Sequence, residues 1–75
     1  MFSMHLRPEV LKGLREEYPE GTRVELIEMN DPYREMPPGL TGTVHMVDDA
    51  GGIQINWDNG STLAAIYGFD KIRAI

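Results

Sequence analysis

Two hydrophobic periods divide this chain. From Pro8 to Tyr18 the apolar residues Val10, Leu11, Leu14 and Tyr18 return at helical spacing and share one face. Pro8 suits the first helical position, and Glu9 complements the positive end of the helix dipole. Gly13 weakens the helix by about 1 kcal/mol relative to alanine. Pro19-Glu20-Gly21 ends it. A helix of about three turns is marginal alone in water. Its apolar stripe is therefore expected to dock, on the rest of its own chain in preference to a partner.

From Thr22 the period becomes two. In Arg23-Val24-Glu25-Leu26-Ile27-Glu28, Val24 and Leu26 point inward and the charges outward, until Ile27 and Met29 blur the alternation. Thr43 to Asp48 predicts a second strand with Val44 and Met46 on one face. Ile53-Gln54-Ile55-Asn56-Trp57 is the cleanest alternation, with three large apolar residues on one face. Asp48-Asp49-Ala50-Gly51-Gly52 between them has hairpin-loop composition.

Register selects the next turn. A two-residue Asn59-Gly60 loop would set Leu63 opposite Asn56, on the wrong face. A three-residue loop, Asp58-Asn59-Gly60, sets Leu63 opposite Ile55 and gives Gly60 the left-handed position. Burial of Leu63 favours the longer loop. Ala64 to Gly68 then closes a fourth strand and turns, and Asp70 to Ile75 supplies a fifth with Ile72 inward. The stretch from Met29 to Thr41 has little apolar periodicity and reads as a long structured loop.

A long first loop, two tight hairpins and a one-turn connection before the last strand are the layout of a five-stranded SH3-like barrel. The expectation is thus a mainly β domain over residues 21–75 behind a short N-terminal helical extension over residues 1–20. Its expected core is Val24, Leu26, Val44, Met46, Ile53, Ile55, Leu63 and Ile72.

Composition narrows the function classes. The chain has 75 residues and no cysteine, which removes disulfides, iron–sulfur clusters and cysteine-based zinc sites together. No apolar run approaches the roughly 20 residues that span a bilayer, and Met1 to Leu6 lacks a signal-peptide core. A cytoplasmic location is expected. Twelve acidic residues against seven basic ones give a net charge of −5. Nucleic-acid binding needs clustered Lys and Arg, so it is disfavoured. The acidity suits either simple solubility or a protein partner with a basic surface.

Gly21-Thr22-Arg23-Val24-Glu25-Leu26, Met29-Asn30-Asp31-Pro32-Tyr33, Pro37-Pro38-Gly39 and Gly42-Thr43-Val44 resemble a bacterial and phage family, domain of unknown function 4314. So do Val47-Asp48, Gly52-Ile53 and Asn56-Trp57-Asp58-Asn59-Gly60-Ser61. The resemblance covers residues 21–75 and implies an SH3-like fold from a phage or mobile element, with no catalytic residue to carry over. A looser similarity, through Gly21-Thr22-Arg23-Val24 and Gly42-Thr43-Val44, links the chain to KOW-type ribosome and transcription-factor modules.

Catalytic material is sparse. His5 lies near the terminus, His45 lies on a strand, and neither Ser3 nor Ser61 sits in a nucleophile elbow. Asp48-Asp49-Ala50-Gly51-Gly52 and Asp58-Asn59-Gly60 are oxygen-rich, yet neither matches a calcium loop, and turn formation explains both. No enzyme activity, metal or cofactor is expected. The aromatic residues are the better lead. In SH3-like folds the first loop and the last turn are neighbours, so Tyr33 and Tyr67 would line one groove suited to extended peptides. Asp31 and Arg34 give that groove a polar rim. Trp57 is placed in the core by its register with Ile53 and Ile55, with ligand binding as its other reading.

The functional expectation is a non-enzymatic protein-interaction module, one concrete form being an inhibitor of a host nucleic-acid enzyme such as an anti-CRISPR protein. The alternative is a KOW-like nucleic-acid module using Arg23, Arg34, Lys71 and Arg73. A homo-oligomer through Val10, Leu11 and Leu14 follows only if the helix does not dock on its own domain.

Overall fold

The computed structural model describes residues 6–30 and 36–75. One helix, α1 (Pro8–Glu17), precedes five strands: β1 (Arg23–Glu28), β2 (Thr41–Val47), β3 (Gly52–Trp57), β4 (Ala65–Ile66) and β5 (Lys71–Ala74). They form an antiparallel sheet in the order β4-β3-β2-β1-β5. The fold is mainly β, as the alternation implies.

The helix docks on its own sheet. Leu14 and Tyr18 are buried and Val10 packs against the core. Arg15 fastens α1 to the β2–β3 hairpin, donating from Nη2 to Asp49 Oδ1 at 2.7 Å and reaching the Val47 carbonyl at 3.4 Å. Leu14 is thereby spent inside the fold, while Val10 and Leu11 stay half-buried.

Of the eight expected core residues, Val24, Leu26, Val44, Ile53 and Ile55 are buried. Ile72 is half-buried against them, and Leu63 is half-buried. Met46 is 47% exposed, and Val47 takes the interior place expected for it. A bulge explains the exchange. The β2–β3 register slips between Val44 and Met46, so an extra residue enters β2 and reverses the faces that follow. A second slip, between Leu26 and Glu28 of β1 against β5, leaves Ile27 on the outside.

The β3–β4 turn has the longer loop. The Trp57 N–H donates to the Ser61 carbonyl, and Gly60 has a φ of 90°. Ile53 pairs with Ala65, the register that the longer loop sets. Trp57 is 3% exposed, and its indole N–H donates to the Leu63 carbonyl at 2.8 Å. Its ring lies over Gly42, its cross-strand partner. A Cβ at Gly42 would stand 2.9 Å from Trp57 Cε3 and 2.7 Å from Ile55 Cγ2, so glycine creates the space that buries the indole.

Closure is where the sheet departs from the expected barrel. Among the described residues no ladder joins β4 to β5, and the sheet is open there. The cause is local. Ile66 accepts the N–H groups of Phe69 and Asp70 and donates its own to Asp70 Oδ2 at 2.8 Å. The turn thereby consumes the outer polar groups of a two-residue strand, leaving them no bond for β5.

Candidate functional site

A groove of about 560 Å³ opens along this seam, between the end of α1 and the β4–β5 connection. Leu14, Tyr18 and Ile53 bring the core to its floor, and Ile27, Ile66, Tyr67, Phe69 and Ile72 line its sides. Its volume falls within the range typical of ligand pockets. Unlike the interior, this apolar surface meets solvent. Phe69 is 63% exposed, Tyr67 48% and Ile27 43%. Three large apolar residues around one groove form a patch that water alone does not favour.

Each lining residue owes its place to backbone geometry. The bulge of β1 against β5 turns Ile27 out. The turn after Ile66 carries Tyr67 and Phe69, and Gly68 between them has a φ of 88°. Tyr67 is anchored by its N–H, which donates to the Gly51 carbonyl at 3.0 Å. Ile72 is fixed opposite Leu26 in the β1–β5 ladder.

Asp70 organises the turn. One carboxylate oxygen accepts from Ile66, and the other accepts the Asn30 N–H at 2.8 Å. The Asn30 side-chain amide donates to the Phe69 carbonyl. The root of the long β1–β2 loop is thus tied to the β4–β5 turn. Tyr33, Arg34 and Asp31, expected to line the same groove, lie outside the described residues. Tyr67 is on the groove wall, whereas Trp57 is interior, which favours packing over binding for its side chain.

The rim is acidic. Glu17 and Asp70 stand on it with Lys71, whose ammonium is 4.0 Å from Glu28. Burial first, then the neighbouring Glu17 charge and hydrogen bond, push the Tyr18 phenol up and keep it neutral. The opposite face is polar and self-satisfied. Arg23 grips Asp58 through both terminal nitrogens at 2.9 and 2.7 Å and also donates to Thr43 Oγ1. Those Arg23 bonds, with one from Thr41, hold the Asp58 carboxyl well below the usual carboxylate range. Arg73 meets Glu25 at 2.6 Å. Among the described residues no group of three or more His, Asp or Glu side chains is placed to hold a metal. No described helix is long and apolar enough to cross a membrane.

Asn30, Asp70 and Ile27 were not among the residues singled out from sequence. Ile27 left a trace as a break in alternation, while Asn30 stood only within a family motif and Asp70 only at the start of the last strand.

The model of a family described as a domain of unknown function (DUF4314) matches residues 7–75, and the chain belongs to that family. The matched stretch takes in α1, so the likeness reaches further toward the N-terminus than the motifs that carried it. No curated protein and no solved structure matches the chain.

Proposed function

From membership of a family without an assigned activity, we propose that this chain is a non-enzymatic protein-interaction module of a phage or mobile element that binds its partner through the seam groove. The observation that carries this reading is the exposed apolar group of Ile27, Tyr67 and Phe69, whereas among the described residues the aromatic side chains of Tyr18 and Trp57 are buried. Aromatic side chains at the centre of a patch with a charged rim are the usual anchors of protein interfaces. Inhibition of a host nucleic-acid enzyme, as by an anti-CRISPR protein, is one form this binding would take. The fold reading that goes with it is an SH3-like sheet left open at its last seam, supported by the pairing of β5 with β1 and the one-turn β4–β5 connection.

A KOW-like nucleic-acid module would draw on Arg23, Arg34, Lys71 and Arg73, of which Arg34 lies outside the described residues. Each of the other three faces a carboxylate, Asp58, Glu28 and Glu25 respectively, which favours the protein reading. A cytoplasmic setting suits a chain without cysteine.

The test is capture from host lysate followed by reconstitution with the purified partner. A Tyr67→Ala, Phe69→Ala variant is expected to lose that partner, while Asn56→Ala on the opposite face keeps it. Retention by the groove variant would overturn the reading.

A further inference from the structure

The two edges of the open sheet are not equivalent. On β4 the outward N–H and carbonyl of Ile66 are taken by Phe69 and Asp70, so that edge is capped. On β5 the hydrogen-bond parity leaves the opposite result. The Ile75 N–H donates to the Arg23 carbonyl, which makes Arg23 and Ile75 a hydrogen-bonded pair. The same register continues through Val24–Ala74, Glu25–Arg73 and Leu26–Ile72. Pairs alternate in an antiparallel ladder, so Ile72 and Ala74 direct their N–H and carbonyl groups away from β1. Among the described residues β5 pairs with β1 alone, and no turn or loop backbone group bonds to Ile72 or Ala74. An edge that no described residue caps thus borders an apolar groove, and the Ile72 side chain belongs to both.

Resting on the interaction-module reading, we propose that the partner enters as an extended segment, alternating apolar and basic residues, that pairs with the free edge of β5. Strand addition supplies main-chain bonds at Ile72 and Ala74. Alternate side chains of an added strand face the same way, so the apolar residues, every second one of the segment, would meet Tyr67 and Phe69. The remaining positions face away from the groove, along Lys71 and Arg73, whose charges Glu28 and Glu25 offset. Charge acts there at long range. The net charge of −5 steers a cationic segment in and repels an anionic one.

The experiment titrates the isotope-labelled full chain with three synthetic peptides: alternating Val and Lys, alternating Val and Glu, and the Val–Lys peptide N-methylated at every second residue. The Val–Lys peptide is expected to bind at least about tenfold more tightly than the Val–Glu peptide. Binding should slow amide exchange at Ile72 and Ala74, and N-methylation in the pairing register should weaken it by about tenfold or more. Ala74→Pro, which removes an outward N–H, should weaken binding without lowering the melting temperature. Binding that ignores N-methylation and leaves both amides exchanging would overturn strand pairing while the groove reading stands. Amides already protected in the free chain would show the edge occupied by the protein itself, and would also overturn it. No peptide binding, with the captured partner still lost on Tyr67→Ala, Phe69→Ala, would reject the extended basic segment alone. Failure of both assays would reject the module reading too.

Discussion

Trp57 and Phe69 occupy similar positions in the chain and meet opposite fates. Both lie beside a glycine-containing turn that leads from one strand toward the next. Trp57 is covered because Gly42 leaves room across the ladder and the Leu63 carbonyl accepts its indole N–H. Phe69 sits on a turn whose backbone bonds are closed locally by Ile66, Asp70 and Asn30, and nothing described covers its ring. The β2–β3 half satisfies itself, and the β4–β5 seam does not. An aromatic residue becomes core or surface according to what its neighbours leave open, and the difference separates the part that folds the domain from the part available to a partner.

Substitutions should widen that contrast. Trp57→Ala is expected to cost about 3–5 kcal/mol, enough to unfold a domain of this size, as read by chemical denaturation. Gly42→Ala should cost about 1–3 kcal/mol in the same assay, because the new methyl meets Ile55, Trp57 and the Asn56 carbonyl at 3.0 Å or less. Phe69→Ala should change stability by less than about 1 kcal/mol and yet abolish partner capture. Equal destabilisation by Trp57→Ala and Phe69→Ala would erase the distinction.

Acid should act on the self-satisfied half. Burial raises the Asp48 carboxyl, but the Gly52 N–H, the Gln54 amide, the Ala50 N–H and the Arg15 charge together bring it below its ordinary 3.8. Asp58 is lowered by Arg23 and then Thr41. A carboxyl depressed in the folded state stabilises above its unfolded value and loses that contribution as pH falls through the folded one. The melting temperature should therefore decline below about pH 4, and Asp58→Asn should make the acid decline shallower. A melting temperature that rises on acidification below that point would contradict the assignment. This is the smallest effect expected.

Local chemistry made half of the molecule legible. Val10, Leu14 and Tyr18 repeat at helical spacing, so their shared face could be read directly, and Leu63 could select its loop because one residue of slip would expose it. The bulges could not be read. Met46 and Val47 are both apolar, and only pairing with β3 decides which turns inward. The seam was partly visible: Tyr67 and Phe69 flank a glycine, but Asn30 meets Asp70 across 40 residues of chain. No local pattern encodes that meeting, or the open edge of β5.

The central claim is that the exposed seam, and not the polar face, receives the partner. Its most direct test is an amide-exchange map of the full chain, free and bound to the partner it captures. The account predicts new protection from Tyr67 through Ala74, with Thr43 and Asn56 unchanged. Protection gathered around Arg23, Thr43 and Asn56, with the seam left unprotected, would contradict it.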